Sequence, residues 1–172
     1  KLFMIDCGEG AQLQFRKSHL KFSRLNHIFI SHLHGDHCFG LLGLISTLNL
    51  LGRTAELHIH SPKGLETLLT PMLDFFNRQM TYKILFHEFD TKEPRQIYED
   101  RSLTVTTIPL RHRMPCCGFL FAEKRRPNHI IREMVDFYQV PVYELNRIKN
   151  GADYVTPEGK TVSNNLLTRP PA

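Results

Sequence analysis

The sequence predicts a mixed α/β (α+β) fold, and three observations lead there. Short runs of β-branched and aromatic residues, such as His27-Ile-Phe-Ile-Ser31, recur along the first 122 residues. Between them lie stretches whose apolar residues fall at helical spacing, Leu41, Leu42, Leu44, Ile45, Leu48 and Leu51 being the plainest. A length of 172 residues at 41% apolar content is enough to bury a sizeable core.

Taken in order, residues 1–6 alternate like a strand and run into the glycine-rich turn Asp6-Cys-Gly-Glu-Gly10; residues 11–17 read as a short helix. The strand at 27–31 delivers the chain straight into His32. A helix follows from Phe39, with Gly52 as its stop. Residues 56–60 form a strand ended by Ser61-Pro62, residues 63–77 an amphipathic helix, and residues 83–88 another strand. Two more strands are predicted at 102–109 and 117–122, with Leu110-Arg-His-Arg-Met-Pro115 between them. From Glu123 the texture changes: a basic break at Lys124-Arg-Arg-Pro127, a short helix over 130–138, a polar segment over 140–150, and a hairpin around Pro157-Glu-Gly159.

Composition excludes some classes. No apolar run reaches the roughly 18 residues of a membrane span, the greasiest stretch being interrupted by Ser46, Thr47 and Asn49. Cys7, Cys38, Cys116 and Cys117 lack CxxC and disulfide-framework spacing and read as buried thiols in a reducing cytoplasm. The net charge of +5 is uneven: residues 1–110 hold 12 Lys and Arg against 11 Asp and Glu, residues 111–172 hold 10 against 6. A basic second half suits a polyanionic partner, although such a segment is also common as a solvated face. The chain opens on Lys1 inside an alternating pattern and ends on an irregular Thr168-Arg-Pro-Pro-Ala172, so both ends are expected to continue in a longer protein.

The chemistry concentrates in Ser31-His-Leu-His-Gly-Asp-His-Cys38, where four potential ligands occupy six residues directly after a strand. In extended backbone, residues i and i+2 share a face, so His32 and His34 can grip one ion. Gly35 is expected to permit a sharp turn that re-aims Asp36 and His37 toward a second position. Imidazole and carboxylate are zinc ligands, and the split points to two ions sharing a hydrolytic site. A satisfied cluster of histidines is the bland alternative, poorly matched to four ligand types around a hinge glycine.

His32-Leu-His34-Gly-Asp36-His37 matches the HxHxDH signature of the metallo-β-lactamase superfamily. Within it, Phe3-Met-Ile-Asp-Cys-Gly-Glu-Gly-Ala-Gln12, His32-Leu-His-Gly-Asp-His-Cys-Phe-Gly-Leu-Leu-Gly43 and Leu110-Arg-His112 followed by Cys117-Gly-Phe119 resemble the ribonuclease Z family. Ala11 stands where the family often has Thr. The resemblance covers most of residues 1–122 and implies a four-layer αββα sandwich, here incomplete at both ends, with an inserted basic arm. It implies a zinc-dependent endoribonuclease that removes the 3′ trailer from precursor tRNA, acting as a cytoplasmic homodimer with no membrane association. It assigns His112 as the third histidine beside His32 and His34 on one zinc, and gives Asp36 and His37 to a second, with Asp36 also the proton acceptor for the attacking water. Asp6 and Glu9 are expected to support the ligands from the neighbouring turn. Two zinc ions are expected in the complete protein. The family's bridging aspartate and further histidines lie beyond the arm; after His112 this chain holds only His129, Asp136 and Asp153 of those types.

The division that follows is a partial core over 1–122, a tRNA-binding arm over 123–160, and a connection over 161–172 leading back toward the rest of the core. Lys124, Arg125, Arg126, Arg132, Arg147 and Lys149 are the arm's candidate phosphate contacts. Val140-Pro-Val-Tyr143 lacks the glycine of the family's Gly-Pro pair. His58 and His60, a second HxH on a strand, are expected to be structural, and His27 and His87 carry no partner pattern. Two alternatives stand beside the ribonuclease. One is another hydrolase of the same fold, acting on a small phosphodiester, thioester or lactone without need of an arm. The other is a non-catalytic tRNA-binding module.

Overall fold

The computed structural model describes residues 1–77 and 79–171. The chain forms two compact units, Lys1–Ala122 and Glu123–Ala172.

The first unit is built on a four-stranded sheet: β1 (Leu2–Ile5), β2 (Leu25–Phe29), β3 (Leu57–Pro62) and β4 (Ile84–Phe89), in that spatial order. All three pairings are parallel, each needing a crossover connection. Helices α1 (Ala11–Lys17), α3 (Gly40–Leu50) and α4 (Leu65–Phe76) lie in the three crossovers, and the single turn α2 (Gly35–Cys38) precedes α3. The helices form one layer because each turns an apolar face to the sheet. On α3 that face is Leu41, Leu44, Ile45 and Leu48, and on α4 it is Leu65, Leu69 and Leu73, both at the expected spacing of three and four. They pack on Leu25, Ile28, Leu57 and Ile59 from the strands. The buried Tyr82 hydroxyl donates to the Ile45 carbonyl at 2.9 Å and ties the approach to β4 onto α3.

The opposite face of this sheet meets a second one, β5 (Gln96–Glu99), β6 (Leu103–Leu110) and β7 (Cys116–Glu123), in the order β5-β6-β7. Aromatic rings fill the space between: Phe3 against Tyr98 and Phe121, and Phe29 against Phe119 and Phe121, with centroids 5.4–5.6 Å apart. Helices, sheet and sheet make three of the four layers of the αββα sandwich that the resemblance implies, as described for residues 1–122. Strand β5 escaped the sequence reading because it has only four residues, mostly polar or half-exposed. The strand foreseen at 27–31 begins instead at Leu25 and ends at Phe29, leaving Ile30 and Ser31 to carry the chain off the sheet edge.

The second unit has its own small core of Val135, Val140, Ile148, Tyr154, Val162 and Leu167. Strand β8 (His129–Ile130), helix α5 (Arg132–Phe137), helix α6 (Leu145–Lys149), the hairpin β9 (Tyr154–Val155) with β10 (Thr161–Val162), helix α7 (Asn164–Leu167) and β11 (Thr168–Arg169) follow in order. The segment read as polar at 140–150 therefore contains a helix, anchored by Ile148. Strand β11 pairs antiparallel with β8, so the chain enters and leaves this unit side by side. The Asn164 side-chain amide donates to the carbonyls of Ile148 and Ala152, both at 2.7 Å, closing the turn before β11. Residues 161–169 thus pack as part of this unit's core. No helix among the described residues is long and apolar enough to cross a membrane.

Candidate metal centre

The site lies where β2 ends. A polar segment here can leave the sheet because its backbone finds partners on the turn after β1. Asp6 N donates to the Phe29 carbonyl at 2.8 Å, Cys7 N to that of His37 at 2.7 Å, and Gly40 N to that of Cys7 at 2.8 Å. These bonds bring two backbones almost into contact. A Cβ on Gly8 would stand 2.1 Å from the Asp36 oxygen, and one on Gly40 1.9 Å from the Gly8 oxygen. Only glycine fits at either position.

Within this clasp His32, His34 and His112 converge. His32 Nε2 lies 3.0 Å from His34 Nδ1, and His112 Nε2 lies 3.2 Å from the same atom. All three ligand atoms fall within 4.8 Å of one another. Four ligands held tetrahedrally at the zinc–nitrogen distance are separated by about 3.3 Å along each edge, so the two short spacings fit a shared ion. The cluster combines two segments far apart in sequence, with His112 on the loop between β6 and β7. His32 is buried, and its pKa is lowered first by that burial and then by His37, His112 and His34. Both effects favour the neutral imidazole that binds a metal.

Asp36 and His37 form a second group beside it. They sit on α2, with His37 Nε2 3.4 Å from an Asp36 carboxylate oxygen. The other ring nitrogen of His37 is held 2.7 Å from Asp6 Oδ2. Asp6 is itself fixed: its carboxylate accepts the Ser31 backbone N–H at 2.8 Å and the Ser31 hydroxyl at 3.0 Å, and its φ of 58° lies in the left-handed region that Asp tolerates. A carboxylate on one imidazole nitrogen turns the other outward for a metal. Ser31 completes the arrangement, its hydroxyl also 3.0 Å from His32 Nδ1. Its role went unread because a serine beside a histidine carries no spacing signal. Glu9 is exposed and makes no hydrogen bond or ion pair among the described residues, so the structure brings in Asp6 and leaves Glu9 out.

Gly35 acts differently from expectation. It has no positive φ and begins the α2 turn; its hydrogen leaves room for the Phe39 ring, which a Cβ would meet at 2.4 Å. The cysteines are all free and buried. Burial pushes Cys7 and Cys117 up to about 12 and raises Cys38 and Cys116, so these thiols stay protonated rather than competing as ligands.

Four other histidines, His27, His58, His60 and His87, form an unexpected ladder on the face between the two sheets. Parallel register places His27 beside His58, and Phe29 beside His60 and then His87. His27 Nδ1 lies 3.2 Å from His60 Nε2, and His58 Nδ1 lies 2.9 Å from His87 Nε2. None of the four enters the metal-like cluster.

In the second unit, Arg132 pairs with Asp136 at 3.1 Å and Arg147 with Glu144 at 2.8 Å. Arg132 and Lys149 line a cleft of about 480 Å³ together with His129 and with Arg169, a cation outside the expected set of phosphate contacts. Lys124 is half-buried, and Arg125 and Arg126 are exposed.

Comparison with known proteins places this arrangement. The chain is 80% identical over 99% of its length to ribonuclease Z of Bacteroides fragilis, covering 56% of that protein, and 78% identical over its whole length to that of Bacteroides thetaiotaomicron, covering 54%. The crystal structure of human tRNase Z, short form, superposes with a TM-score of 0.65 at 32% identity, covering 72% of this chain and 55% of that one. A family model described as Anti-Pycsar protein Apyc1 matches residues 1–131. The chain belongs to the family that this model describes. It spans about half the length of the curated ribonuclease Z relatives it matches. The likeness to ribonuclease Z proteins implies metal ions, and the three-histidine cluster is where this chain offers to hold one.

Proposed function

We propose that this chain carries the metal-binding half of a zinc-dependent endoribonuclease that removes the 3′ trailer from precursor tRNA. The observation that carries the reading is the meeting of His32 and His34 with His112 at metal-ligand spacing. In this reading those three hold one zinc, while Asp36 and His37 supply part of the site for a second. When bound, zinc polarises phosphoryl oxygens and makes a water acidic enough to serve as a nucleophile near neutral pH.

The chain's own residues do the rest. Asp6, steadied by Ser31, orients His37. Asp36 is exposed beside the cluster and accepts the proton of the attacking water. Neutral His32 needs no deprotonation to act as a ligand. Cations of the second unit, among them Lys149 on its cleft, meet tRNA phosphates; such contacts position the substrate without reading its sequence, as suits an enzyme acting on many tRNAs. The products are a tRNA with a free 3′-hydroxyl and a trailer with a 5′-phosphate. The enzyme works in the cytoplasm as a homodimer, the free thiols suiting a reducing compartment.

The test is cleavage of a trailer-bearing precursor tRNA by the full-length protein. Cleavage should vanish in His34→Ala, in Asp36→Ala and after chelation, and return with zinc. Absence of cleavage by zinc-loaded full-length protein would sink the proposal.

A further inference from the structure

One oxygen atom stands between the two groups of the metal centre. Ser31 is half-buried where the chain leaves the sheet after β2, and all its polar atoms are engaged. Its backbone N–H donates to Asp6 Oδ1 at 2.8 Å, and its carbonyl accepts the N–H of Cys117, on β7, at 3.1 Å. Those two bonds fasten the residue to the turn after β1 and to the strand that follows the His112 loop. The hydroxyl is left to meet the ligands. Its oxygen lies 3.0 Å from Asp6 Oδ2, 3.0 Å from His32 Nδ1 and 3.4 Å from His37 Nδ1.

Counting protons orders this network. An ionised carboxylate only accepts, so Asp6 Oδ2 takes the proton of His37 Nδ1 at 2.7 Å and that of the Ser31 hydroxyl. A hydroxyl has one proton. With it given to Asp6, the Ser31 oxygen offers His32 Nδ1 lone pairs alone, and neutral His32 carries its proton on Nδ1. That leaves His32 Nε2 bare, and Nε2 is the atom that meets His34 Nδ1 in the three-histidine cluster. The same count leaves Nε2 of neutral His37 bare, facing an Asp36 carboxylate oxygen at 3.4 Å. Two acceptors that face each other with no proton between them suit ligands of one cation.

We infer that the Ser31 hydroxyl is a positioning group shared by both metal positions. It holds His32 directly, and His37 through Asp6, in the tautomer that turns Nε2 toward a metal. The inference rests on the zinc reading for what the histidines hold, and deepens it by making one hydroxyl serve both ions. Asp6 differs from it, touching His37 directly and His32 only by way of Ser31.

The experiment has two readouts on the full-length protein. Nitrogen NMR of the imidazoles at pH 7.5, in chelator, should place the proton of both His32 and His37 on Nδ1. Competition against a chromophoric zinc chelator should then show both zinc affinities lowered in Ser31→Ala. The first should fall by about 10- to 100-fold, the usual cost of losing a partner behind a ligand, and the second by less, because Asp6 still holds His37. Ser31→Thr, which keeps the hydroxyl, should restore both. A wild-type His32 proton on Nε2 overturns the inference. So do unchanged affinities in Ser31→Ala, or a loss that Ser31→Thr shares in full. Both backbone bonds of Ser31 survive in the alanine variant; should it unfold even so, the wild-type spectrum still decides. Neither readout uses RNA, so the two proposals fail separately. A protein that meets both expectations but never cleaves precursor tRNA refutes only the nuclease; one that cleaves, with zinc affinities unaltered in Ser31→Ala, refutes only the role of the hydroxyl.

Discussion

His60→Gln should flatten the acid sensitivity of this fold, by an amount that follows from where the imidazole lies. His60 is 3% exposed, stacked on Phe29 with centroids 4.5 Å apart and planes 9° from parallel, and 4.7 Å from the His87 ring. Its Nε2 meets His27, while its Nδ1 is buried without a partner. Burial first, and then His87, His27 and His58, push its pKa down to about 3. Around it stand His27, pushed down to about 4 chiefly by burial, Tyr98 from the facing sheet, and, further out, Lys1 and Asp100 near His27 and Glu56 near His58. The unfolded chain protonates this group near its ordinary value of about 6.5, while the native state keeps it neutral. Between those values the unfolded state binds more protons, so stability is complete above about 6.5 and declines as pH falls toward 3. At pH 5 the loss from this one group is about 2 kcal/mol, roughly 1.4 kcal/mol for each of about 1.5 pH units. Urea unfolding of metal-free protein at pH 7.5 and pH 5.0 reads it directly. Wild type should lose about 2 kcal/mol more than His60→Gln across that interval. Parallel losses in the two proteins would refute the claim that a neutral buried His60 couples this core to pH.

Three other outcomes follow from the packing around the site and between the strands. Asp6→Asn should weaken binding of the second metal by about 10- to 100-fold in a chelator competition, since the carboxylate that aims His37 is lost; unchanged affinity would deny Asp6 that role. Gly40→Ala, whose new methyl would collide with the Gly8 carbonyl, should cost about 1–3 kcal/mol in chemical unfolding, whereas Gly52→Ala, with nothing near its Cβ position, should show only the smaller cost of its positive φ. Excising the second unit at its paired strands, from β8 through β11, should abolish precursor tRNA cleavage by the full-length protein while sparing hydrolysis of a small phosphodiester. Retained tRNA cleavage would remove the arm from the proposal and favour a small-molecule hydrolase.

Much of the fold was legible because its signals are local. The apolar faces of α3 and α4 and the run leading into His32 depend on residues within a turn or two of one another. The hairpin of β9 and β10 was legible for the same reason, its turn chemistry being contiguous. What blurred were edges and short elements: β5 is brief and half-exposed, and α6 hides in a polar stretch around one buried isoleucine. The ligand types at residues 32 to 37 were determined by the sequence itself, since imidazoles two apart after a strand share a face whatever the rest of the chain does. The tertiary structure decided which partners complete them. His112 reaches His34 across 78 residues, and Asp6 reaches His37 across 31, only because the strand ends and loops that carry them meet at one sheet edge. It also decided the work of Gly35, Gly8 and Gly40, and it stacked His27 and His87, which carry no pattern, with the HxH pair His58 and His60 into one ladder. Those outcomes depend on parallel register and on the approach of separate backbones. Such distances are set by packing, and spacing along a chain does not encode them.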